Sequence, residues 1–225
     1  MRIKFICLAN SRKTSGRCVA GLRLDHNGWI RPISGDTEGH LLQRHCTLDD
    51  GNQVALLDVV EVNVSEHQPK PYQPENWVLG SEQWKLIKRL KPEEAYSFLR
   101  EYLASGPELF GNESDRVDSA GLQDHPISKS LVLIKPTDIS FHVTKSFRGN
   151  RQARADFNLD GINYDLAITD VVWEERLKIL GLGRLSRETI GIASDDILLF
   201  TISLAGPLDG KCFKLIAGII CIPNS

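Results

Sequence analysis

Arginines beside an indole can make a nucleic-acid contact: a guanidinium forks onto phosphate and an aromatic face stacks on a base. Residues 17–34, RCVAGLRLDHNGWIRPIS, carry that set. Asn27-Gly28 is a hairpin signal. A three-residue loop, His26-Asn27-Gly28 with Gly28 left-handed, turns Leu22, Leu24, Ile30 and Pro32 toward a core. The opposite face then holds Arg17, Arg23, Trp29 and Arg31, with Arg23 across from Arg31. Like charges directly across a sheet repel, and a bound phosphate would relieve them. A carboxylate such as Asp25 or Glu38 would do the same, with Trp29 as core. A one-residue change of register would redistribute the whole set.

Two further clusters suit phosphate. Asn10, Ser11, Arg12, Lys13, Thr14, Ser15, Gly16 and Arg17 form a polar, basic loop whose hydroxyls and N–H groups can hold an anion. It lacks the glycine spacing of a Walker motif, and a solvated hairpin loop is the plainer reading. Lys145, Arg148, Arg151 and Arg154 form the second cluster, with Phe141 and Phe147 interleaved and no carboxylate from residue 139 to 155. Such a stretch can follow a nucleic-acid backbone or be a solvated charged loop.

Catalytic and metal chemistry find little footing. Asp156 and Asp165 fall opposite each other in a hairpin and could share a cation or a proton, but Arg154, placed diagonally, is the simpler partner. His40, His45 and Cys46 lie close together without an evident fourth ligand for zinc. Cys7 and Cys18 sit among apolar neighbours, which disfavours a nucleophilic role. No G-x-S-x-G is present. The expectation is no catalytic residue, no metal and no cofactor.

These candidates need elements to position them. Residues 4–9 and 54–68 read as strands around the hairpin, and 67–77, with three prolines, as an extended connector or a segment laid across a surface. Residues 81–90 and 92–106 read as helices, the second opened by Pro92 and closed by Gly106. Strands return at 130–136 and 139–147. Asp160-Gly161 makes a two-residue type I′ turn that pairs Phe157 with Tyr164 and Ala155 with Leu166. A helix over 170–181, capped by Asp170, buries Trp173, Leu177 and Leu180. Long strands at 197–208 and 211–222 finish the chain. Each half has one grammar: strand, hairpin, long terminal strand. The expected class is mainly β with minor α: two OB-like small β-barrels, at 1–78 and 128–225, around a helical connector at 79–127.

The segments ICLANSRKTSGRCVAGLRLDHNGWIRPIS, LLDVVEV, QPENW, TDVVWEERL and LDGKCFKLIAGII occur in an order that resembles the dual OB-containing domain family of bacterial proteins. The likeness spans nearly the whole chain, and CLANSRK…GRC…WIRP is its most specific part. It implies two OB-like barrels and no established reaction. A proline is expected after Thr169-Asp170 in this family, where Val171 stands, a change that touches helix initiation. The positions it marks are Asn10, Ser11, Lys13, Arg17, Trp29 and Arg31.

The whole chain sets the outer bounds. Its 225 residues are 41% hydrophobic and 25% charged, with a net charge of −2, so a nucleic-acid site has to be a local patch. No apolar run reaches the ~20 residues of a membrane helix, and residues 1–13 do not read as a signal peptide. Five cysteines without a C-x-x-C pair suit a reducing, cytoplasmic setting. The expected function is a nucleic-acid- or nucleotide-binding module without its own catalytic centre. The alternatives are a nucleotide-processing enzyme with a Lys13, Arg17 and Arg31 clamp, or a scaffold for a protein partner.

Overall fold

The computed structural model of the chain describes residues 1–13, 16–36, 39–146 and 149–224. The first barrel consists of β1 (Arg2–Lys13), β2 (Gly16–Arg23), β3 (Trp29–Ile33), β4 (Asp58–His67) and β5 (Asn76–Leu79). They close in the order β1-β2-β3-β5-β4 and back to β1. Only β3 and β5 run parallel within this ring. β1 can serve two neighbours because it is long: its start pairs with β4 and its remainder with β2. Alternation then sorts its side chains. Ile3, Phe5 and Cys7 fill the barrel with Val19, Ile30, Val60 and Val62, while Ile6 and Leu8 point outward into a second core. Gly21 lets β2 press against β1, since a Cβ there would lie 1.9 Å from the Ile6 carbonyl oxygen.

β6 (Lys85–Arg89) extends the sheet beyond β4. Here the chain departs from the helix expected over 81–90. Val59 and Val60 of β4 pair with Lys88 and Leu86, and Trp84 enters the first core edge-on to Phe5. A waiting sheet edge outweighs a weak helical pattern. The helix α1 (Pro92–Leu99) starts at its proline as expected but ends early, passing into a 3₁₀ turn over Arg100–Tyr102. Beyond it, the Ala104 N–H donates to the Leu133 carbonyl, so a strand edge competes with the last helical turns. The short β7 (Arg116–Asp118) and α2 (Ser119–Asp124) follow.

The second barrel uses β8 (Leu131–Ile134), β9 (Thr137–Lys145), β10 (Arg151–Leu159), β11 (Ile162–Ile168), α3 (Val171–Ile179), β12 (Gly183–Leu185), β13 (Ile197–Leu204) and β14 (Lys211–Ile222). Its sheet runs β12-β9-β10-β11-β14-β13-β8, and β11 lies parallel to β14 as β3 does to β5. β8 and β9, consecutive across Lys135-Pro136, pair with β13 and β10 respectively. Together they take the part of β1, so the circuit closes through the chain itself. Phe157 pairs with Tyr164 and Ala155 with Leu166, as the turn chemistry predicts. Asp160 and Gly161 both hold positive φ. Leu180 is 43% exposed, outside the stripe expected of α3, because the helix ends before it.

The β2–β3 hairpin has another register than the one expected. Leu22 faces Trp29 and Gly21 faces Ile30, while the Arg23 N–H donates to the Gly28 carbonyl. The loop is therefore residues 24–28, because the Leu24 N–H leaves β3 and bonds the Lys4 carbonyl at 2.9 Å. Arg31 and Trp29 share the outward face with Leu22, and Arg23 lies on the other face, so the facing arginine pair does not form.

That outward face is covered. Ala9, Ala20 and Trp29 pack on Leu131 and Ala217 of the second barrel. Ile6, Leu8, Leu22 and Val59 join Leu133, Leu199, Ile220 and Ile222, with Ala95 and Leu99 of α1. Arg12 adds ion pairs to Glu174 and Glu175 at 2.7 and 2.6 Å. The strand 2–3 surface that OB folds commonly offer to oligonucleotides is, in the first barrel, an internal seam.

Candidate anion site at the seam of the barrels

Arg31 of β3 is carried into this seam and is 3% exposed. Its guanidinium joins the two barrels. Nη1 donates to Cys18 Sγ at 3.2 Å, and Nη2 to Ser130 Oγ at 2.9 Å and Ser203 Oγ at 3.2 Å. All three acceptors are neutral, and no carboxylate of the described residues is paired with it. The acid that comes into play, Glu75, is one residue removed: it accepts from Ser130 N at 2.5 Å and Ser130 Oγ at 2.6 Å. A buried cation with only neutral partners is costly. Its Nε, buried as well, has no hydrogen-bond partner.

A pocket of about 80 Å³ lies beside it. Parallel pairing of β3 with β5 sets Asn76 next to Arg31. Asn76 is 1% exposed and its Oδ1 is also without a partner. Ser11, Lys13, Lys70 and Ser203 contribute to the wall, and among the described residues none that lines it is acidic. Arg31 with Lys13 and Lys70 gives the described lining a basic character that suits a small anion.

Of the residues expected from sequence, the pocket gathers Ser11, Lys13 and Arg31. Others are engaged elsewhere. Asn10 Nδ2 donates to the Val54 carbonyl at 2.8 Å, and Arg17 Nη1 to Asn10 Oδ1 at 3.4 Å. Arg23 forks onto Asp25, with Nε 3.0 Å from Oδ1, and its guanidinium lies 5.6 Å from the Trp77 ring centre. That bonding holds the Asp25 carboxyl far below the usual carboxylate range. Trp29 is half-buried in the seam.

The second basic cluster stands apart from the pocket's lining. Lys145 pairs across the ladder with Arg151, whose Nη1 donates to the Lys178 carbonyl at 2.9 Å. Arg154 Nε donates to Asp165 Oδ1 at 2.8 Å. Arg148 and Phe147 lie outside the described residues. Asp156 and Asp165 do face each other, and His142 brings a third potential ligand, all within 4.8 Å of one another. Arg154 and Arg184 already occupy the two carboxylates, at 2.8 and 3.2 Å.

Sequence reading passed over Lys70, Glu75, Asn76, Ser130 and Ser203. Their meeting with Arg31 depends on a parallel strand pair and on contacts 99 and 172 residues apart. One signal was present: the QPENW segment spans Gln73, Glu75 and Asn76, all at this site.

No curated protein matches the chain. Among solved structures, one described as a crystal structure of the tetrameric p202 HIN2 is 7% identical, aligned over 99% of this chain and 92% of that one with a TM-score of 0.30. No helix of the described residues is long and apolar enough to cross a membrane. A family model, the dual OB-containing domain, matches residues 3–219. That span takes in both barrels and the seam between them, and the chain belongs to the dual OB-containing domain family.

Proposed function

We propose that this chain is a binding module for a phosphate-bearing ligand, a nucleotide or nucleic acid, with no catalytic centre of its own. The observation that carries the reading is Arg31: a buried guanidinium with neutral partners among the described residues, lining a pocket whose described lining holds no carboxylate. An anion there would compensate the buried charge. Lys70 adds positive charge to the approach. The arginines of the second barrel's outer face add little, because Arg154 and Arg184 are paired with Asp165 and Asp156.

The test is fluorescence anisotropy of labelled single-stranded DNA and RNA over a series of salt concentrations. Two or three phosphate contacts predict a shallow dependence, with log K falling against log salt at a slope of about −1.5 to −2 for a single strand. A slope of about −5 or steeper would mean that a long basic track binds instead. No binding at low salt, together with no effect of inorganic phosphate or nucleotides, would remove the reading.

A further inference from the structure

We infer that the outer face of α3 is a docking surface for another protein, and that the segment it takes is acidic and rich in aliphatic residues. Large apolar side chains are mostly buried in this chain, but Val172, Ile179, Leu180 and Leu182 are not. Val172 is 68% exposed and Ile179 80%. Seven residues apart, they share one side of the helix, opposite Trp173 and Leu177, which pack into the core of the second barrel. Leu180 caps the helix, and Leu182 carries the apolar run to the start of β12. Single exposed aliphatics need no explanation, whereas a contiguous patch of them marks an interaction site.

Charge selects the partner. Arg176 lies between Val172 and Ile179 on the same side of α3, with its guanidinium 5.0 Å from the Trp173 ring centre. Arg151 donates to the Lys178 carbonyl in the last turn of α3, and Lys145 faces Arg151 across the β9–β10 ladder. All three cations are exposed, and among the described residues none has a carboxylate partner. The nearby acids are taken, Glu174 by Arg12 and Lys178 and Glu175 by Arg12. The rim therefore keeps its positive charge, and carboxylates on a partner would complement it. A nucleic acid would answer the charge but needs aromatic faces for its bases. Phe141, interleaved with these cations in sequence, is buried against Trp173, and the exposed company is aliphatic. An anionic bilayer asks for a broad plane, whereas the stripe from Val172 to Ile179 is about 10 Å long and has the Glu175–Arg12 pair beside it. A polypeptide supplies both aliphatic side chains and carboxylates at that scale.

The experiment selects peptides from a random display library on the immobilised full chain. Enriched peptides are then labelled and titrated by anisotropy against the parent, Ile179→Ser/Leu182→Ser and Lys145→Glu. These substitutions fall on exposed residues, so circular dichroism and melting should match the parent. The expected peptides carry aliphatic residues among aspartates and glutamates. Their binding should weaken about tenfold in the apolar double variant, the cost of losing a few buried methylenes. Lys145→Glu removes one cation and neutralises Arg151 beside it, and should weaken binding several-fold, more at low salt than at high. Enriched peptides without acidic residues, binding unmoved by either variant, or no enrichment at all would overturn the inference. Two further measurements on the same proteins can also overturn it. Flotation with phosphatidylserine-containing vesicles, lost in the double variant, would assign the patch to a lipid surface. Self-association in sedimentation, lost in the double variant, would assign it to a second copy of this chain.

Discussion

At the scale of single residues, Arg31 sets a conflict between folding and binding. Its guanidinium bridges two serines of the second barrel and a cysteine of its own, yet keeps an unspent N–H and no anionic partner. Replacing buried ionic groups together by apolar side chains of similar volume is often close to neutral for stability, and Arg31 has no direct ionic partner among the described residues to strand. In Arg31→Met, Ser130 and Ser203 both lose a donor, at a cost of about 1 kcal/mol each, while relief of the buried charge offsets that cost. The expected outcome is a melting temperature within a few degrees of the parent, at about 2–4 °C per kcal/mol for a chain of this size, together with loss of phosphate binding. A drop of 10 °C or more would show that the residue serves the fold first. Inorganic phosphate should raise the melting temperature of the parent and leave Arg31→Met unmoved, by simple linkage.

At the scale of elements, Asp170 shows how one side chain can fix a helix, a strand and a titration together. Its Oδ1 accepts from the Val172 and Trp173 N–H groups at the start of α3, and its Oδ2 accepts from Ile219 N of β14. Burial outweighs these bonds and pushes the carboxyl up to about 6. Between about pH 4 and 6 the folded chain therefore holds a proton that the unfolded chain has released. Asp170's contribution to stability is largest below pH 4 and falls as pH rises to 6. Melting curves of the parent and of Asp170→Asn over this range should show the parent losing ground to the variant as pH rises. A constant difference would mean that the group is already ionised at pH 4.

Elements also explain what sequence could and could not reveal. The β10–β11 register was readable because Asp160-Gly161 is a two-residue turn whose backbone demands leave one pairing. The β2–β3 register was not, because a third strand decides it: Lys4 of β1 captures the Leu24 N–H and lengthens the loop. β6 reads as helix in the sequence for the same reason, since the edge of β4 that captures it lies far away in sequence and close in space. Within the site, Ser11, Lys13 and Arg31 stood out by type and spacing. Asn76, Ser130 and Ser203 are ordinary polar residues until the barrels bring them to Arg31.

At the scale of the whole molecule, the seam makes the two barrels one mechanical object. The shared core of Leu8, Leu22, Leu133, Leu199 and Ile220 leaves either barrel, taken alone, with a broad apolar face in water. At one point of the seam the two backbones meet closely: a Cβ at Gly218 of β14 would lie 2.1 Å from the Leu8 carbonyl oxygen of β1. Gly218 sits at an ordinary negative φ, so Gly218→Ala tests the contact and not the local backbone. Neither backbone can yield alone, and the substitution should force the barrels apart at a cost of about 1–3 kcal/mol. Hydrogen exchange can read where that cost falls. Amides of β4 belong to the first barrel and those of β10 to the second, and both ladders lie away from the substituted position. If the seam couples the barrels, protection should drop in both by a similar factor and heat should still give one transition. A drop confined to β10, or a second transition, would show that the second barrel opens without the first. The anion pocket would then be a hinge-side cleft whose shape follows that opening, and phosphate should suppress it.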